Sequence, residues 1–157
     1  NYRDRRTSQF IGEYAIPDKD MYEPYVRPQE NNHRTDIYWC ALTDKTQRGL
    51  LLIADRTFEL NASNYPLEGM DSGDTIDNGA PRTEKTHHRH LTDPLPEKMV
   101  DLFIDYRMMG VGGDDSWGAT AHEPYLIRPG KENAIEYGFS LVPFDKKEDY
   151  KYLIRQY

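Results

Sequence analysis

The sequence predicts an all-β protein built as an antiparallel β-sandwich. Apolar side chains recur at every second residue in several segments, as expected of strands with one buried face. No segment has the pattern of a capped amphipathic helix of ordinary length. Turn-forming residues recur at the short spacing that is typical of antiparallel sandwiches.

The first predicted strands form a hairpin. Residues Ile37 to Thr43 and Gly49 to Ala54 are dense apolar runs, and the polar residues Asp44 to Arg48 join them through a short turn. Downstream, the alternation from Phe58 to Ser63 predicts a half-buried strand. Its apolar face carries Phe58, Leu60 and Ala62, and its polar face carries Glu59, Asn61 and Ser63.

Two further strands are predicted in the second half of the chain. From Val100 to Met108 the even-numbered residues are apolar. From Ala134 to Leu141 the odd-numbered residues are apolar. Pro94 to Lys98 can form one helical turn. Pro17 to Asp36 and the acidic, glycine-rich Pro66 to Lys85 are predicted to be irregular. Because no internal repeat or low-complexity linker is present, we expect residues 1–157 to form one structural unit.

Charge and composition exclude several classes of function. The net charge of -7, without a basic stripe, argues against a nucleic-acid partner, and no apolar run is long enough to cross a membrane. Cys40 is the single cysteine, so no internal disulfide and no cysteine-based zinc site can form. The polar first residues lack a signal-peptide pattern and an initiator methionine, so we expect that the chain was cut from a longer one.

The segment from Gly110 to Gly118 has the composition of a functional loop. Gly112 and Gly113 permit tight backbone turns, and Trp117 offers a flat apolar face that suits a sugar ring. Asp114 and Asp115 are neighbours in sequence, so they cannot flank a glycosidic bond as a catalytic pair. We expect them to accept backbone hydrogen bonds and brace the loop, and their charge disfavours a phosphate.

Two other clusters contain residue types that bind metal ions, but neither has the spacing of a complete metal site. His88 and His90 would share one strand face, yet no third ligand lies near them in sequence, so surface histidines are the preferred interpretation. The acidic residues Asp71, Asp74 and Asp77 recur at every third position, whereas an EF-hand loop places its oxygens at alternate positions. We therefore expect a solvated acidic loop and no metal site in this chain.

The segment from Tyr22 to Asn32 combines tyrosine, arginine, glutamate and asparagine with prolines that favour an extended path. These residue types suit a buried polar network. Residue chemistry alone leaves open whether that network is structural or binds a ligand.

Four motifs in this order resemble the C-terminal domain of family 2 glycoside hydrolase β-galactosidases. They are Asn1 to Arg5, Met21 to Asn31, His88 to Leu91, and Gly110 to Trp117. The resemblance implies a β-sandwich of the galactose-mutarotase-like type, the small-chain domain, of which this chain would be the C-terminal half. It also implies that the two catalytic glutamates, and the magnesium and sodium sites, belong to a barrel domain outside this chain.

The resemblance assigns one substrate-binding residue here, Trp117, which would contact the bound sugar or its aglycone. Gly112, Gly113, Asp114, Asp115 and Ser116 would shape the loop that carries it. The expected partners are a β-galactoside and the remaining domains of the same chain, and the intact enzyme is expected to be a homo-oligomer. No catalytic residue is expected in this chain.

The sequence departs from the family pattern at two places. Asn32 stands where the family commonly has glycine, and asparagine tolerates the left-handed backbone that such a turn requires. The loop from Pro66 to Lys85 is longer than in well-known members. The leading hypothesis is thus a part of a retaining β-galactosidase that is inactive alone. The alternatives are a non-catalytic carbohydrate-binding module and a purely structural interaction domain.

Overall fold

The computed structural model describes residues 10–24, 30–70, 94–109, 120–145 and 150–157. The chain divides into two compact units, which we describe separately. The first comprises Asn1–Arg34 and Leu60–Phe103, and the second comprises Thr35–Glu59 and Ile104–Tyr157.

The described residues are mostly antiparallel β structure with little helix, consistent with a fragment of an all-β sandwich. The strands are β1 (Arg34–Thr43), β2 (Gly49–Ser63), β3 (Asp101–Asp105) and β4 (Phe139–Phe144). They form one sheet in the order β1-β2-β3, and β4 also pairs with β2. That last pair is antiparallel, from Gly49 opposite Phe144 to Ala54 opposite Phe139. Short 3-10 turns at Asp18–Asp20, Leu67–Met70 and Glu123–Tyr125 and the helix α1 (Tyr150–Ile154) complete the described elements.

The predicted hairpin is confirmed, and Asp44 organises its turn. Asp44 Oδ1 accepts hydrogen bonds from the Thr46 amide at 2.7 Å, the Thr46 hydroxyl at 2.7 Å and the Arg48 amide at 3.1 Å. The Asp44 amide donates to the Arg48 carbonyl at 2.8 Å, which closes the loop. Gly49 then starts β2 at a point where a Cβ would overlap the Leu42 carbonyl oxygen, so the close approach of the two strands requires glycine.

The strand β2 differs from prediction in length and in burial. The two predicted segments form one strand, because the exposed Asp55 and Arg56 interrupt the apolar pattern but not the extended backbone. All six residues from Phe58 to Ser63 are buried, so the prediction of an exposed polar face was wrong. Glu59 and Asn61 on that face find hydrogen-bond partners far away in sequence, as described below, whereas the Ser63 hydroxyl bonds to the backbone of Tyr65.

The two later strands are shorter than predicted or displaced. β3 spans only Asp101–Asp105, and its five side chains are all half-buried instead of alternating. The strand predicted from Ala134 begins at Phe139, five residues later, and Ile135 and Tyr137 are exposed. Gly138 still accepts a hydrogen bond from the Asp55 amide at 3.0 Å, so backbone pairing begins there.

Predictions about helices were also partly wrong. Residues 94–98 form no helical turn, because Pro96 disfavours the helical backbone conformation at Leu95, the residue before it. The short helix α1, which the sequence did not reveal, packs on the core of the second unit. Leu51, Ile53 and Phe144 are the buried centre of that core. The partly buried side chains around it are Trp39, Ala41, Val142, Tyr150, Leu153 and Ile154.

Candidate functional site

In the first unit, the end of β2 presents its polar side chains to a small cavity. Asn61 is 3% exposed, and its Nδ2 donates to Glu30 Oε1 at 3.2 Å. The cavity volume is about 10 Å³, and its lining residues are Glu30, Asn31, Asn61, Ser63, Tyr65, Leu67, Met70 and Phe103. This is room for about one water molecule, whereas sites for small organic ligands measure roughly 300–1,000 Å³. By itself, this cavity cannot hold a sugar ring.

The described residues between Tyr22 and Asn32 form a bracing network beside this cavity. The Tyr22 ring stacks on Tyr65 with centroids 4.0 Å apart, and burial, with a smaller contribution from Tyr65, raises the pKa of Tyr22. Asn31 Oδ1 accepts hydrogen bonds from the Glu23 amide at 2.9 Å and from Asn32 Nδ2 at 3.0 Å. Within the described ranges, these contacts favour a structural role for the segment over a binding role.

Asn32 makes the turn that the resemblance predicts for this position. Its φ is 62°, so asparagine adopts the left-handed conformation that glycine commonly provides in the family. Arg34 Nη1 donates to the Asn32 carbonyl at 2.9 Å and to Asn32 Oδ1 at 3.1 Å, which fixes the turn from the first residue of β1. Burial lowers the pKa of the Arg34 guanidinium from its ordinary value, and the nearby charge of Glu23 opposes that change.

In the second unit, one hydrogen bond holds the end of β3 and another holds the residues that follow it. Glu59 is 7% exposed, and its Oε2 accepts a hydrogen bond from the Met108 amide at 2.6 Å. The Tyr137 hydroxyl donates to the Ile104 carbonyl at 3.0 Å. The Tyr137 ring lies 6.0 Å from the Tyr106 ring, and the Arg107 guanidinium lies 5.8 Å from the Tyr106 centroid. The chain then continues into the glycine-rich segment that starts at Gly110.

The described residues contain no group of three or more His, Cys, Asp or Glu side chains that could hold a metal ion. In the same part of the chain, every helix is too short or too polar to span a membrane.

Comparison with protein families decides the membership of the chain. A family model described as the β-galactosidase small chain matches residues 1–141. The chain belongs to the β-galactosidase small-chain family. This match covers the residues on which the sequence resemblance was based, from the first motif to the glycine-rich loop.

Several curated relatives of this small-chain region carry the name β-galactosidase. The relative from Priestia megaterium is 32% identical over 127 residues, which are 81% of this chain and 11% of the relative. The relative from Leuconostoc mesenteroides is 31% identical over 140 residues, covering 89% and 11% of the two chains. The relative from Pseudoalteromonas haloplanktis is 28% identical over 127 residues, covering 81% and 10%. The chain thus spans about a tenth of the length of these relatives.

The site residues expected from the small-chain resemblance lie outside the described residues. They are Gly112, Gly113, Asp114, Asp115, Ser116 and Trp117. The histidine pair His88 and His90 and the acidic residues Asp71, Asp74 and Asp77 also lie outside them. Their predicted roles stay predictions.

Sequence reasoning missed that Glu59 and Asn61 of β2 are buried and hydrogen-bonded to distant residues. Local alternation assigned both to an open face. Their partners, Met108 and Glu30, lie 49 and 31 residues away, so no local signal could have revealed them.

Proposed function

We propose that this chain is the C-terminal portion of a retaining β-galactosidase that releases terminal non-reducing β-D-galactose from β-galactosides. The observation that carries the proposal is the match of residues 1–141 to the β-galactosidase small-chain model. Much longer relatives that are named β-galactosidase support the same assignment. In such an enzyme a glutamate would form a covalent galactosyl intermediate, which water then hydrolyses.

Within that enzyme, this portion completes the mouth of the active site and supports the packing of other domains, without catalysis of its own. Trp117 is the residue that contacts the substrate, since an indole face stacks on a pyranose and excludes water from it. Gly112, Gly113, Asp114, Asp115 and Ser116 shape its loop. The catalytic glutamates belong to the barrel domain.

The magnesium and sodium ions that the resemblance implies also belong to that barrel domain. The described residues offer no group of three metal-binding side chains, so they do not fit such an ion. No step of the proposed reaction is assigned to a metal through this chain.

Exposed apolar side chains support the proposed role in domain packing. In the first unit, Phe10 is 70% exposed, Ile11 93% and Tyr14 68%. These three large apolar side chains, exposed within five residues of sequence, are available to contact another protein segment. A chain that covers a tenth of its relatives' length has ample partner surface within the rest of its own enzyme.

The test of the proposed function is the substitution Trp117→Ala in the intact enzyme. We expect kcat/KM for β-galactosides to fall at least about fivefold, because an aromatic stacking contact contributes about 1 kcal/mol beyond the area it buries. The control is Tyr125→Ala, which removes another exposed aromatic ring of the same chain and is expected to leave kcat/KM unchanged. Unchanged kinetics for Trp117→Ala would instead identify a purely structural interaction domain.

A second experiment separates the enzyme portion from a carbohydrate-binding module. The isolated chain is titrated with lactose and followed by NMR, and is assayed with a chromogenic β-galactoside. We expect neither saturable shifts nor hydrolysis. Saturable millimolar binding centred on Trp117 would identify a binding module, and hydrolysis that depends on carboxylates of this chain would overturn the proposal.

A further inference from the structure

The cavity at the end of β2 in the first unit is lined by a buried residue whose amide oxygen has no protein donor. Asn61 is 3% exposed and lines the cavity, whose volume is about 10 Å³. Its Oδ1 atom is buried, and within the described part of the chain no N–H or O–H group donates to it. A carbonyl oxygen that loses its hydrogen bonds to solvent on folding is costly to leave without a donor. The Asn61 oxygen therefore calls for a donor from outside the protein.

Glu30 fixes the orientation of the Asn61 amide. Asn61 Nδ2 donates to Glu30 Oε1 at 3.2 Å, and a carboxylate only accepts hydrogen bonds. The nitrogen of the amide must therefore face Glu30. Exchanging the amide nitrogen and oxygen would set two acceptors against each other and lose this bond, so Oδ1 cannot gain a donor by turning towards Glu30.

The size and the chemistry of the cavity both select water. Its volume corresponds to about one water molecule, and a bound water needs about two to four polar partners. Asn61 is one partner. The Ser63 hydroxyl, which also lines the cavity, already bonds to the backbone of Tyr65. The Glu30 carboxylate accepts from Asn61 through one oxygen and has further acceptor positions, so it is the second partner.

We propose that this cavity holds one ordered water molecule, which donates one hydrogen to Asn61 Oδ1 and the other to the Glu30 carboxylate. The water bridges two residues that are 31 positions apart in sequence, beside their direct hydrogen bond. It thereby adds a second polar link between β2 and the residues before β1. Glu30 is exposed, so water can enter the cavity from that side. The bridge is present whether or not Trp117 contacts a substrate.

A high-resolution crystal structure of the intact protein tests the site directly. We expect one peak of electron density about 2.8 Å from Asn61 Oδ1 and within hydrogen-bond distance of a Glu30 oxygen. A cavity without a peak, or a protein donor on Asn61 Oδ1, would overturn the assignment. Distances of about 2.0–2.6 Å to several oxygens would overturn it as well, because they indicate a metal cation.

The substitution Asn61→Leu tests whether Asn61 holds the water. Leucine is similar in size but has no acceptor, so we expect the peak to be lost. The matched control is Asn133→Leu, the same change at an exposed position of the second unit, where the peak is expected to remain. A peak that persists in Asn61→Leu would show that Asn61 does not hold the water. If Asn61→Leu does not fold, the structure of the unsubstituted protein decides alone.

Discussion

Among the described non-glycine residues, Asn32, Asp36 and Gln47 have a positive φ. Each of these side chains is polar and short or flexible, and Asn and Asp tolerate the left-handed region better than other non-glycine residues. Asn32 turns the chain just before β1, Asp36 lies inside β1, and Gln47 lies in the hairpin turn. At these positions backbone geometry, more than side-chain chemistry, limits which residue can stand there.

Glycine positions allow a direct test at the residue scale. Gly49→Ala is expected to destabilise the chain by about 1–3 kcal/mol, because the added Cβ would overlap the backbone carbonyl of Leu42, which cannot move without separating the strands. Gly130→Ala is the control, since no atom lies within 4 Å of its added Cβ. A change within about 0.5 kcal/mol is expected there. Urea unfolding measures both, and equal effects would contradict the steric explanation.

At the scale of elements, the sequence predicted the hairpin correctly because its signals are local. A turn rich in polar residues between two apolar runs needs no distant contact to be recognised. Asp44 also explains why the turn has one defined conformation, since its carboxylate accepts hydrogen bonds from two residues of the loop. These contacts, the Thr46 hydroxyl first, hold the pKa of Asp44 below its ordinary value of 3.8.

This pKa shift predicts how the stability of the hairpin depends on pH. A lowered pKa in the folded state means that ionised Asp44 stabilises the fold at neutral pH and that this contribution is lost as the pH falls through the folded pKa, below 3.8. The stability advantage of the wild type over Asp44→Asn is therefore expected at pH 7 and should shrink at pH 3. Unfolding free energies at the two pH values measure it. An advantage of equal size at pH 7 and pH 3 would contradict the role of the Asp44 charge.

The errors of prediction have a common physical origin in distant contacts. Ala134 to Tyr137 has the alternation of a strand, but β4 begins only at Phe139, where backbone atoms of β2 are available for pairing. Glu59 and Asn61 have the pattern of an exposed face and are buried by residues from other parts of the chain. Asn32 was predicted correctly because its left-handed backbone is a local property. The loop from Gly110 to Gly118 was singled out from its motif alone, and its role in substrate binding stays a prediction.

At the scale of the whole molecule, the first unit exposes large apolar side chains that the proposed packing of further domains would cover. Ile11 is 93% exposed, and Phe10 and Tyr14 beside it are also largely exposed. In the described part of this segment, the Tyr14 hydroxyl bonds only locally, to the Phe10 carbonyl at 3.1 Å. Such side chains gain stability only when another surface covers them.

The substitution Ile11→Glu, made both in the intact protein and in the isolated chain, tests whether another domain covers this side chain. Ile11→Glu in the intact β-galactosidase is expected to lower stability by about 2 kcal/mol or more, because full burial of an isoleucine contributes about 1.5–3 kcal/mol and a buried charge adds a penalty. In the isolated chain the effect should stay within about 0.5 kcal/mol, because the side chain is already exposed. Thermal unfolding of both proteins gives the comparison. Equal effects in the two proteins would show that no other domain covers this residue.

Both faces of β2 are buried from Phe58 to Ser63, and this burial limits which mutations the strand can tolerate. A saturation library that targets polar residues of alternating strands would treat Glu59, Asn61 and Ser63 as surface positions open to variation. All three are at most 8% exposed, so they should accept as few replacements as the apolar residues between them. In this chain, a residue's freedom to evolve follows from which atoms cover it and not from its own polarity.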